Sequence, residues 1–212
     1  MKIAIIGASG YVGSAVLKEA ASRGHTITAI ARNAGKIASQ SGVTAVAADA
    51  TDPGKLASLL AGHDVAISTF NGGWGDPDIY AKHLAGSKAI ADAAKAAGVR
   101  LIVVGGAGSL LAPDGSQLVD SPQFPAEYKE GALAARDTLE ALRKETGLQW
   151  SFVSPAINLV PGERTARFRL GDDHPVVDDK GESRISVEDL AVALLDEAET
   201  PKHTGKRFTL GY

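Results

Sequence analysis

The chain begins MKIAIIGASGYVG, residues Met1–Gly13. An apolar run, Ile3 to Ile6, leads into glycines at 7, 10 and 13. That order predicts a short buried strand, Lys2–Ile6, followed by a turn and a helix. The helix is expected from Tyr11 to Arg23, with Val12, Ala15, Val16 and Ala20 at helical spacing and Gly24 ending it. A dinucleotide diphosphate needs such a strand-to-helix turn. Glycine lets the backbone bend and lets phosphate oxygens come close, and the first helical N–H groups face the anion. Gly7, Gly10 and Gly13 are therefore candidate cofactor residues, with Ser9 as a hydroxyl donor and Tyr11 and Val12 as N–H donors. The spacing is GxxGxxG rather than GxGxxG, and no Lys-Ser or Lys-Thr follows, so a nucleoside-triphosphate loop is disfavoured. A close-packed turn without a ligand is the alternative reading.

Outward from this turn, strands and helices alternate. Further strands are predicted at 25–31, 43–47, 64–68, 101–104 and 149–153, with helices between them. A short helix is expected at 33–41 and longer ones at 78–97 and 126–146. Another helix starts at Asp52-Pro53, with Asp52 as its N-cap. The stretch 105–125 reads as loop. Short apolar strands separated by helices predict an α/β, Rossmann-like parallel sheet covered on both faces. The last sixty residues are less regular. Ser186, with Asp189 three positions on, resembles a capping box opening a helix at 187–198, and a final strand is expected at 207–210. This tail is expected to pack over the carboxyl ends of the earlier strands, completing the sheet edge and substrate side. With no linker or repeat, residues 1–212 read as one domain.

Composition narrows the function. With 44% hydrophobic and 22% charged residues and a net charge of −3, the chain has no basic stripe for nucleic acid or an anionic membrane. It has no cysteine, which excludes disulfides, thiolate metal sites and a cysteine nucleophile. No apolar segment approaches the roughly 20 residues that cross a bilayer. The N-terminus does not read as a signal peptide, so a cytoplasmic location is expected. No histidine has companions at metal-ligand spacing, and no metal is assigned.

The end of the second strand carries Arg32, in IARN. An acidic residue there grips the ribose of NAD, whereas a guanidinium suits the extra phosphate of NADP. Arg32, with Lys36 one turn on, favours NADPH and leaves NADH use open. Asp49, with Ala50 nearby, is expected to accept from the adenine amino group. Thr69, Phe70 and Asn71, after the fourth strand, are expected along the cofactor.

GASGYVG, Arg32-Asn33, ADATDP, VVGGAGSL, SPA, PGERTARFRLG and SRISVEDLAVALLDE occur in this order. Together they resemble the atypical branch of the short-chain dehydrogenase/reductase superfamily over nearly the whole chain. More narrowly, the chain resembles the small NAD(P)H-flavin reductase group related to biliverdin reductase B and NmrA-like proteins. The resemblance supports Arg32, Lys36 and Asp49 as cofactor residues and adds Asn33. It also implies that Ser154, Pro155 and Ala156 wall the nicotinamide and that reduction of free flavin is the activity.

Carbonyl-reducing members of the superfamily use Tyr-x-x-x-Lys, in which lysine lowers the tyrosine pKa. Here Tyr128 is followed four residues on by Ala132, and Tyr80 by Leu84. Hydride transfer to a flavin needs chiefly two rings held face to face. A hydride donor to FMN, FAD, riboflavin or a similar planar acceptor is thus the leading reading. Ser109 is the best polar candidate for catalysis, and Gly105, Gly106 and Gly108 are expected to leave room for a flat ring. Trp74, Tyr128 and Arg167 are candidates for the substrate pocket. A non-catalytic NAD(P) sensor of the NmrA-like type is the alternative, and an epimerase would need an acid–base pair that the sequence lacks. A monomer and a homodimer are both compatible with the sequence.

Overall fold

The structure, a computed structural model, describes residues 1–212. In chain order the elements are β1 (Lys2–Ile6), α1 (Tyr11–Ser22), β2 (Thr26–Ala31), β3 (Val43–Ala47), α2 (Pro53–Leu60), β4 (Val65–Ser68), α3 (Ile79–Ala97) and β5 (Arg100–Val104). They continue with α4 (Ala126–Arg143), β6 (Trp150–Ser154), β7 (Asn158–Val160), β8 (Arg169–Gly171), β9 (Arg184–Ser186), α5 (Val187–Glu199) and β10 (Lys206–Gly211). Eight strands form one sheet in the order β3-β2-β1-β4-β5-β6-β10-β8. All neighbours are parallel except β10 and β8. The sheet is thus mostly parallel, and the chain has an α/β Rossmann-like fold. β7 and β9 pair separately.

Every residue of β4 and β6 is buried, as strands covered on both faces require. One core cluster joins Ile3, Ile5, Val153 and Phe208 to Val16, Leu190 and Leu194 of α1 and α5. The other joins Ala4, Ile6, Leu101 and Phe152 to Leu56, Ile90 and Leu139 of α2, α3 and α4. Alternate residues of each strand therefore serve opposite layers. Strand order reverses between β1 and β4, which places a ligand crevice at their carboxyl ends.

Two expectations are corrected. The helix expected at 33–41 is a single 3-10 turn, Ala34–Lys36, capped by Asn33 Oδ1 accepting from Gly35 N at 3.1 Å. Gly35 and the lack of an apolar stripe leave nothing to extend it. The tail forms one edge of the sheet: β10 and β8 extend it, and α5 packs on α1. Ser186 does cap α5, its Oγ accepting from Asp189 N at 3.0 Å, but Asp189 does not return the bond. Ser186 N donates instead to the Tyr212 hydroxyl at 3.2 Å.

Asp52 caps α2 as expected, its Oδ1 accepting from Lys55 N at 3.0 Å, with Pro53 at the first turn. Asp52→Ala is expected to cost about 1 kcal/mol in urea unfolding.

Candidate functional site

Gly7 has φ +85°, in the left-handed region that favours glycine. A Cβ on Gly13 would lie 2.1 Å from the Gly7 carbonyl oxygen, so α1 starts directly against the end of β1. The N–H groups of Ser9, Tyr11, Val12 and Gly13 donate to no protein acceptor, and no side chain caps α1. These donors and the compact turn form a cradle that fits a diphosphate.

Around this turn lies a cleft of about 260 Å3. Gly7, Ser9, Gly10, Arg32, Asn33, Lys36, Ala50, Thr69, Phe70 and Asn71 line it. Ten residues named from the sequence thus converge, drawn from the ends of β1, β2, β3 and β4. Ile6, Ile30, Ala31 and Ala48 complete the lining. Arg32 and Lys36 are exposed, and neither forms an ion pair with the protein. Two unpaired cations on one cleft wall fit an additional phosphate.

Asp49 is outside that lining. Its Oδ1 accepts from Thr51 N at 2.9 Å and Thr51 Oγ1 at 2.8 Å, and these bonds hold the carboxyl below its ordinary range. Its Oδ2 has no protein partner. Tyr11 is exposed and Val12 half-buried at the start of α1. Ser154, Pro155 and Ala156 are buried at the carboxyl end of β6.

The β5–α4 loop departs from expectation. A Cβ on Gly105 would strike the Phe152 ring at 2.0 Å, and one on Gly108 would meet Ala132 Cβ at 2.9 Å. Those glycines make room for the protein itself; at half-buried Gly106 a Cβ would meet only Ala135 Cβ, at an ordinary contact distance of 3.9 Å. Ser109 is 3% exposed, and Arg207 Nη1 donates to its carbonyl at 3.2 Å and to its hydroxyl at 3.4 Å.

Trp74 and Tyr128 meet edge to face, ring centroids 5.5 Å apart, and both are exposed. Trp74 rests on Gly131 of α4, where a Cβ would lie 2.6 Å from the indole. Arg167 is exposed and lines a hollow with Glu163, Arg164, Thr165 and Tyr212. No lysine is hydrogen-bonded to Tyr80 or Tyr128. Tyr80 donates to Asp137 Oδ2 at 2.6 Å, and that bond pushes its phenol up.

Sequence reasoning missed three features. Arg207, a charge inside the last strand, gave only its interrupted apolar pattern as a signal. His83 is buried beside Phe70, rings 5.9 Å apart, and burial lowers its imidazole to about 4. Asp189, fully buried, accepts from Thr165 N, Thr165 Oγ1, Ala166 N and Tyr212 Oη at 2.6–2.8 Å. Burial alone would raise its carboxyl, but these donors hold it below the usual range. Separately, a cavity of about 300 Å3 lies between α3 and α4 over Leu101 and Val103, lined by none of the residues named above for the site.

The sequence profile of a family described as NAD(P)H-binding matches residues 7–198. The chain belongs to the NAD(P)H-binding family. It is 40% identical over 214 residues to the uncharacterized protein YwnB of Bacillus subtilis strain 168, covering 99% of this chain and 98% of YwnB. A solved Bacteroides thetaiotaomicron structure, provisionally named an epimerase, is 43% identical with a TM-score of 0.93, covering 100% of this chain and 96% of that one. Another, from Streptococcus pneumoniae TIGR4 and provisionally named an NADH-flavin reductase, is 35% identical with a TM-score of 0.86, covering 100% and 99%. The NAD(P)H-binding assignment agrees with the glycine cradle and the cleft beside it. No helix of the chain is long and apolar enough to cross a membrane.

Proposed function

We propose that the protein transfers a hydride from NADPH to a free flavin or a similar planar acceptor. One observation supports the reading: an exposed aromatic pair, Trp74 against Tyr128, whose tryptophan follows closely along the chain from Asn71 of a cleft that carries two unpaired cations. The name of the S. pneumoniae relative supports the same acceptor class.

Bound reduced nicotinamide supplies the hydride. The protein's part is to hold and orient. The turn from Gly7 to Gly13 would cradle the diphosphate, and Arg32 with Lys36 would meet the adenosine phosphate. Thr69, Phe70 and Asn71 would line the path to the sheet edge. Trp74 and Tyr128 would give a flat acceptor an apolar face and exclude water from it. A flavin spreads the incoming charge over its ring and takes its proton from solvent, so few acid–base groups are required.

The test mixes purified protein with NADPH and FMN and follows absorbance of the reduced cofactor. Oxidation proportional to protein concentration is expected. Tight NADPH binding without turnover of FMN, FAD or riboflavin would refute the enzyme reading and favour a sensor.

A further inference from the structure

We propose that the cavity between α3 and α4 is a second binding site, for a neutral apolar molecule that offers one oxygen to the Ser68 hydroxyl. The site is separate from the cofactor cleft and stands whether or not the protein transfers hydride.

The cavity follows from the sequence of two helices. Leu84, Ser87, Lys88 and Ala91 recur at i, i+3, i+4 and i+7 on α3, so they share one face. Thr138, Ala141, Leu142 and Glu145 repeat that spacing along the end of α4 and just beyond it. Packed helices interlock the side chains of such faces. Here Ser87, Ala91, Thr138 and Ala141 are small, and a space of about 300 Å3 remains. That volume is at the lower end of small-molecule sites, ~300–1,000 Å3, and well above the ~150 Å3 that holds benzene. An empty apolar space forfeits dispersion contacts, which a ligand would restore.

The walls set the ligand's chemistry. Leu101 and Val103 of β5 give the cavity a buried apolar floor. On β4, Val65 and Ile67 serve the α1–α5 layer and Ala66 the opposite one, so Ser68 turns toward α3 and α4. Ser68 is 4% exposed and lines the cavity. Its Oγ accepts from Phe70 N at 3.4 Å and donates to no protein acceptor. A buried hydroxyl hydrogen normally has a partner. The other buried hydroxyl, Thr138, already donates to Ala134 O at 2.9 Å. Ser68 is therefore the buried donor left for a ligand oxygen. The charges that line the cavity are paired: exposed Lys88 with Asp92 Oδ2 at 2.6 Å, and Glu145 Oε1 with Lys95 at 2.5 Å. With no unpaired charge to receive an ion, the lining favours a neutral ligand.

The experiment titrates the full chain, labelled at its leucine and valine methyl groups, with acetophenone and with ethylbenzene, which has nearly the same shape without the oxygen. NMR follows the Leu84, Leu101, Val103 and Leu142 methyl signals. Acetophenone is expected to shift them saturably with a Kd below about 1 mM. Ser68→Ala should weaken acetophenone about three- to tenfold, the worth of one neutral hydrogen bond, and leave ethylbenzene within about twofold. Ala141→Leu, which fills the space, should weaken both at least about tenfold. If Ser68→Ala does not fold, the infrared carbonyl band of acetophenone bound to the wild type decides: a band below its position in cyclohexane supports the bond to Ser68, and an unmoved band overturns it. The proposal also falls if no saturable shift occurs, if the shifts centre on Thr69 and Asn71 instead, or if Ser68→Ala weakens both ligands equally. Sedimentation covers the remaining occupant: a dimer that Ala141→Leu dissociates, with no ligand entering, would assign the seam to a second copy and overturn the site. Every reading is taken without NADPH, so failure to reduce FMN would leave this result untouched.

Discussion

Replacing Arg32 with alanine is expected to weaken NADPH binding about ten- to a hundredfold and to leave NADH within about twofold. The guanidinium is exposed at the end of β2, on the cleft wall, and has no protein partner to lose. Removing it therefore costs the fold little, and any change in affinity belongs to the ligand. Lys36 shares the wall, so Arg32→Ala/Lys36→Ala should lose more than the single variant. The measurement is titration of both reduced cofactors by fluorescence, at low and high salt. Equal losses for NADPH and NADH would remove the phosphate assignment. The preference should also shrink as salt rises, since both cations are exposed to solvent.

The largest expected effect on stability lies far from the cleft. Glu197 of α5 is 4% exposed. It accepts from Arg100 at 2.5 Å, Ser151 Oγ at 2.9 Å, His203 Nδ1 at 2.8 Å and the N–H groups of Lys202 and His203 at 3.1 Å. Burial alone would raise its carboxyl; the bonds from His203, Lys202 and Ser151 outweigh burial and lower it. Glu197→Leu would leave Arg100 buried without its counter-charge, and a loss of about 3–5 kcal/mol in urea unfolding at neutral pH is expected. The pH dependence follows from the sign of the shift. A carboxyl lowered in the folded state contributes stability that is fully present above its unfolded pKa and is lost as pH falls through the folded value. The wild type should therefore lose stability below about pH 4.3, the ordinary glutamate value. Glu197→Gln should flatten that acid limb. An acid limb identical in wild type and Glu197→Gln would show that other carboxyls carry it.

The parts that repeat were legible before the structure was. β1, β3 and the start of α1 fall at their expected residues, because buried runs and glycine punctuation mark parallel strands strongly. The cofactor side was legible for the same reason: Gly7, Arg32 and Thr69 follow strand ends, and strand ends in this topology meet. The substrate side was not. Ser109 reads as an available hydroxyl in a loop, but its burial depends on Arg207, 98 positions away. Gly105 reads as space for a ligand, and the Phe152 ring takes that space from the neighbouring strand. Asp189 reads as half of a capping box, yet its partners are Thr165, Ala166 and Tyr212. Such pairings depend on how the last sixty residues wrap, which no local period encodes.

The Asp189 carboxylate carries one consequence for how a bulky molecule gets in. The backbone of Thr165 and Ala166, the latter held at φ 54°, and the phenol of Tyr212 all hang on that single buried group. Ser186 grips Glu163, and Arg164 is tied to Glu19 of α1. Freeing this flank means breaking all of those ties together. Trp74, by contrast, is flanked by Gly73 at φ 113° and Gly75 at φ 81°, and rests on α4 through a glycine. Under the proposed function, admission of a flat acceptor would fall to the tryptophan flank, while the segment tied to Asp189 would stay in place.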